Sequence, residues 1–206
     1  MARDQPDPSP ASTPPALPET LPLRVIRPGT VLYRAHSPAY SALYFGPDEG
    51  HRPTHRFHAP DGSFKTCFAG LSEAAAFAEG VLHGPVPTQL ISRQTIELRA
   101  ITELHVVAEI RALPLFGEFL MRLGATATVT HGHDYAVSQA WAKAIHDHPQ
   151  GADAILYTSR HDETTFSLAL FDRAREKVLE GRATRLSIGD RRTLLLLKRY
   201  GLGLTF

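Results

Sequence analysis

The chain has 206 residues, 43% of them hydrophobic and 21% charged, and a formal net charge of +1. This predicts one soluble domain with a sizeable core, and it excludes a global field favouring nucleic acid or an anionic membrane surface. The lone cysteine, Cys67, excludes an internal disulfide and any zinc site built on cysteine pairs, and fits a reducing compartment.

Residues 1–20 carry six prolines among Ser, Asp and Ala. They read as a disordered or extended tail, with the folded domain covering 21–206. The segments 24–26 and 31–33 read as short strands around a Pro28-Gly29 turn, and 37–44 as a short helix. Residues 51–62, rich in His, Pro and Gly, read as a loop, and 64–69 as a strand. The clearest helix is 72–83: Ser72 is a good N-cap, Glu73 suits the first turn, the interior is alanine-rich, and Gly84-Pro85 ends it. Two β-like runs follow at 95–99 and 104–107, then a short helix at 115–123. A strong helix at 135–146 carries Val137, Ala140, Trp141 and Ala144 on one face. Residues 154–157 and 166–171 read as strands, and 187–200 as a turn followed by a leucine-rich strand or helix. Strands and helices mix without strict alternation, which predicts an α+β domain around a compact, mostly antiparallel sheet with flanking helices. The basic stretch after residue 173, interleaved with acids and leucines, reads as a solvated face, with a partner-protein or oligomer contact as the functional alternative.

No phosphate-loop, dinucleotide-binding, serine-elbow or HExxH motif is present. The 11 histidines cluster at His51, His55 and His58, at His131 with His133, and at His146 with His148. Without accompanying cysteines they read as loop or exposed histidines, and no metal is expected. No apolar run reaches the roughly 18 residues of a membrane span, and the N-terminus lacks the pattern of a secretory leader, so the expected location is cytoplasmic, away from membranes.

Four segments, taken together and in order, resemble the RES domain, a family named for its Arg, Glu and Ser residues. They are Leu32-Tyr33-Arg34-Ala35, then His55-Arg56-Phe57-His58-Ala59-Pro60-Asp61-Gly62, then Cys67 to Ser72 running on to Ala78-Glu79, and Asp153 to His161 followed by Leu168 to Asp172. The chain departs from the family pattern twice: Phe68 stands where tyrosine is usual, and His55 where glycine precedes the loop arginine.

The resemblance implies a fold similar to the ADP-ribosyltransferases. It implies an NAD⁺-degrading toxin that cleaves the nicotinamide–ribose bond by phosphorolysis or hydrolysis, or else a protein ADP-ribosyltransferase or an inactive module keeping the fold. NAD⁺ would be a substrate, inorganic phosphate a possible co-substrate, and no cofactor is implied. The implied partner is a helix-turn-helix antitoxin of the Xre type, with no direct nucleic-acid contact.

The residue types suit that chemistry. Cleaving the bond passes through a cation-like sugar, which a carboxylate stabilises. Glu79 is the candidate, with a solvated helix glutamate as the alternative. Arg34 would bind the pyrophosphate through its rigid fork, and Arg56 is a second phosphate candidate. Ser159 would bond the nicotinamide ribose or help place Glu79. Phe68 and Tyr44 would pack against a ring, or belong to the core.

Overall fold

The computed structural model describes residues 16–48, 50–82 and 89–205. Its main body is one eight-stranded sheet. In chain order the strands are β1 (Arg24–Ile26), β2 (Val31–His36), β3 (Thr66–Gly70), β5 (Ala100–Val106), β6 (Ile110–Pro114), β7 (Ala154–Ser159), β8 (Asp162–Phe171) and β9 (Val178–Arg185). In space they run β1-β6-β7-β8-β3-β2-β5-β9. Only β6 and β7 are parallel neighbours, so the expected mostly antiparallel α+β sheet is what forms. A small parallel pair, β4 (Leu90–Ser92) with β10 (Gly203–Thr205), lies apart from it. The helices are α1 (Glu73–Gly80), α2 (Arg93–Glu97), α3 (Glu118–Arg122), α4 (Thr128–His131), α5 (Tyr135–Asp147) and α6 (Arg191–Arg199).

The sheet is nearly two sheets. β2 pairs with β5 from Val31 to His36, and β3 pairs with β8 along its whole length. Between β2 and β3, however, the only register partners are Tyr33 and Gly70. The five strands from β1 to β3 and the three from β2 to β9 therefore diverge from a single joint.

Helix α1 spans that joint. Ser72 caps it, its Oγ accepting from the Ala75 N–H at 3.1 Å, and Ala75, Ala76, Phe77 and Ala78 are buried beneath it. Small residues allow the approach: a Cβ on Gly70 would lie 2.5 Å from the Ala76 nitrogen, closer than packed atoms come. Three apolar clusters result. One centres on Phe57, Trp141, Ile155 and Phe171, a second on Leu32, Leu104, Leu156 and Leu168, and a third joins Phe77 to Leu196 and Leu197 of α6.

Several expectations are corrected. Residues 37–44 form turns rather than a helix, and the Arg34 guanidinium ties them down by donating to the carbonyls of Ala42 and Tyr44. The β-like run 95–99 is mostly α2: Ser92 caps it by accepting from the Thr95 N–H, and Arg93 pairs with Glu97 one turn on. The helix expected at 115–123 shortens to α3, and the open reading of 187–200 resolves to helix α6, capped by Asp190. The helix expected at 72–83 forms as α1, but residues 83–88, with the Gly84-Pro85 stop, lie outside the described residues, as do 1–15. Residues 16–20 run against the domain, with Leu17 on the first cluster and the Pro18 carbonyl accepting from His148 Nε2 at 3.1 Å.

Candidate active site

At the divergence of β2 and β3 lies a cavity of about 540 Å³, within the usual range of small-molecule sites. Five of the six residues expected at a site line it: Arg34, Tyr44, Arg56, Phe68 and Glu79. They arrive from five separate segments, β2, the 37–44 turns, the 51–62 loop, β3 and α1, which makes their convergence informative.

Arg34 lies within β2, half-buried and paired with Thr102 of β5. Its Nη1 donates to the carbonyls of Ala42 at 2.9 Å and Tyr44 at 2.7 Å, and to Cys67 Sγ at 2.7 Å. Those bonds fix the guanidinium plane and fold the 37–44 turns over the cavity mouth, where Tyr44 stands. Nε and Nη2 make no hydrogen bond among the described residues, so the other edge of the fork remains available to an anion. Burial raises the pKa of the Cys67 thiol, so it meets the guanidinium as a neutral thiol.

Glu79 enters from the last turn of α1. The Tyr157 hydroxyl donates to its Oε2 at 3.0 Å, and Tyr157 itself is only 3% exposed at the end of the apolar strand β7. Glu79 is half-buried on the cavity wall, which sets aside the solvated-helix alternative.

Arg56 sits in the 51–62 loop, which its prolines and Gly62 keep out of regular structure. Gln139 of α5 anchors that loop by donating to the His55 carbonyl at 3.0 Å. Arg56 donates to the Gly132 carbonyl at 2.9 Å and lies 5.0 Å over the Tyr135 ring. Burial lowers its pKa, and the neighbouring charge of Arg160 acts in the same direction. Two guanidiniums held together in a partly desolvated wall favour a bound anion.

Phe68 forms an apolar surface with two histidines. The His55 ring lies 5.5 Å from it, His58 lies 5.9 Å from it, and the two imidazoles meet edge-on at 4.8 Å. His58 is 3% exposed, and its Nδ1 accepts from the Thr54 N–H at 3.3 Å. Burial, with His55 beside it, lowers its pKa from 6.5 to about 4, so it is a neutral packing group at pH 7. His58 thus lies in a loop, as expected, but is buried there rather than exposed. Among the described residues no set of three or more potential ligands is placed to hold a metal ion.

Ser159 is the exception. It is 0% exposed and absent from the cavity wall, and its Oγ accepts from the His161 N–H at 3.3 Å. It shapes the turn that brings Arg160 and His161 to the cavity, and the hydrogen bond that Glu79 accepts comes from Tyr157. Sequence reasoning missed Tyr157, Tyr135, His36 and Arg160 on the wall. Two of them were visible only as members of the 153–161 segment, with no signal for an inward-facing role.

The fold and the cavity define a class: an α+β domain whose sheet parts at one joint, with a carboxylate and several guanidiniums lining one cavity there. The RES domain model matches residues 31–190, and the chain belongs to that family. The domain is similar in fold to a chain in the crystal structure of the M. tuberculosis MbcT–MbcA toxin–antitoxin complex, with TM-score 0.64, 16% identity, and coverage of 86% of this chain and 92% of that one. No curated protein sequence matches the chain.

Proposed function

We propose that the protein is an NAD⁺-consuming toxin that cleaves the nicotinamide–ribose bond in this cavity. The observation that carries the reading is the convergence of Glu79, Arg34, Arg56 and Arg160 on one cavity of a RES domain. NAD⁺ needs these complements: cations for its pyrophosphate, an apolar surface for a ring, and a carboxylate for the ribose that becomes cation-like as nicotinamide leaves.

Arg34 and Arg56 would bind the pyrophosphate. Phe68, extended by His55 and His58, offers the ring surface. Lacking the hydroxyl of tyrosine, it acts by packing alone. Glu79, held by Tyr157, stabilises the developing charge on the ribose. The C1″–N bond breaks, its electron pair leaves with nicotinamide, and an acceptor oxygen bonds C1″. Inorganic phosphate as acceptor gives ADP-ribose-1″-phosphate, and water gives ADP-ribose. An antitoxin of the Xre type would silence the protein by covering the cavity mouth near Tyr40 and Tyr44. The protein works in the cytoplasm, where NAD⁺ is abundant, and requires no cofactor.

Incubating the purified protein with NAD⁺, with and without inorganic phosphate, and weighing the nucleotide product tests this reading. Product at the mass of ADP-ribose-1″-phosphate marks a phosphorylase, and ADP-ribose marks a hydrolase. Intact NAD⁺ in both mixtures would contradict the proposal.

A further inference from the structure

We infer that Tyr157 is a positioning residue for Glu79: its buried hydroxyl holds one carboxylate oxygen so that the other faces the substrate. The inference rests on the reading of Glu79 as the carboxylate that meets the ribose.

Tyr157 occupies an unusual place for a polar group. Its strand neighbours Ala154, Ile155 and Leu156 are all buried, and its ring meets Phe57 edge-on at 5.0 Å. A tyrosine sunk this far needs a partner for its O–H. The partner is Glu79 Oε2 at 3.0 Å, on a helix 78 residues earlier in sequence. Glu79 Oε1 makes no hydrogen bond among the described residues. The ring is locked by packing and the helix by Gly70 and Gly80, so the bond fixes the carboxylate's rotation as well as its position.

The phenol remains a donor at any working pH, because burial and then the charge of Glu79 raise its pKa well above the ordinary value. Removing the hydroxyl while keeping the ring frees the carboxylate to rotate, which lowers kcat and leaves KM nearly unchanged.

The test uses the full chain. Nicotinamide release is measured against NAD⁺ concentration for wild type and Tyr157→Phe. In parallel, the Glu79 side-chain carboxyl signal is recorded by ¹³C NMR at about pH 7 in both proteins, assigned by its loss in Glu79→Gln. The expected result for Tyr157→Phe is a kcat lower by about tenfold to a hundredfold, KM within about twofold, and a displaced Glu79 signal. A folded Tyr157→Phe protein with the Glu79 signal unmoved, or with KM raised and kcat intact, overturns the inference. If wild type releases no nicotinamide, the NAD⁺ reading fails, and the NMR comparison still decides whether Tyr157 holds Glu79.

Discussion

Gly80, the last residue of α1, packs so closely on Ala35 of β2 that a Cβ on it would lie 2.5 Å from the Ala35 carbonyl oxygen. This contact sets the distance between the two sides of the cavity, because Glu79 precedes Gly80 and Arg34 precedes Ala35. Gly80→Ala must push the helix end away from the strand. Overpacking of this kind costs about 1–3 kcal/mol, and here it also moves Glu79 relative to Arg34. The expected outcome is a lower urea midpoint together with a loss of NAD⁺ turnover. A variant with wild-type stability and turnover would show that the spacing is not held by this contact.

Arg34 does two jobs through opposite edges of one guanidinium. Arg34→Lys keeps the charge but loses the fork that holds the Ala42 and Tyr44 carbonyls while presenting Nε and Nη2 to the cavity. ADP-ribose affinity, read by titration calorimetry, should fall by about tenfold to a hundredfold. An unchanged Kd would remove Arg34 from pyrophosphate binding.

Ser159 separates a supporting role from a chemical one. Its hydroxyl faces the His161 N–H inside the protein. Ser159→Ala should therefore cost about 1 kcal/mol of stability and reduce turnover less than Glu79→Gln does. A loss as deep as that of Glu79→Gln would mean that Ser159 reaches the substrate.

His58 gives the fold a pH dependence with a defined sign. Its pKa is lowered to about 4 in the folded protein, from 6.5. Between those values the unfolded chain binds a proton that the folded chain excludes, so stability falls as pH drops from 6.5 to 4 and is then flat at this site. The whole contribution is at most about 3 kcal/mol. His58→Gln keeps an acceptor for the Thr54 N–H but does not titrate. Its urea midpoint should fall less than that of wild type between pH 7 and pH 4, and an equal fall would place the dependence elsewhere.

What the sequence revealed and what it hid have physical causes. α1 and α5 were legible because Ser72 and the Val137–Trp141 face are local signals. So was β7, an apolar run of residues buried on both faces. β6 was hidden by Pro114, which the structure tolerates because that residue lies beyond the Arg24–Ala112 pair, where β1 has ended. β9 was hidden by its arginines, which suit an exposed edge strand. The 95–99 run misled because Ser92 and the Arg93–Glu97 pair outweigh the β-branched residues between them. Arg34, Glu79 and Arg56 could be named from the ordered segments that resemble the family. Tyr157 could not, because its role depends on a register that brings β7 under a helix distant in sequence.

The central claim, that Glu79 cleaves NAD⁺ in this cavity, is tested most directly by comparing nicotinamide release from wild type and Glu79→Gln in phosphate buffer. The account predicts steady release by wild type and a loss of about a hundredfold to ten-thousandfold in a variant that melts like wild type. Equal release by the two proteins would contradict it.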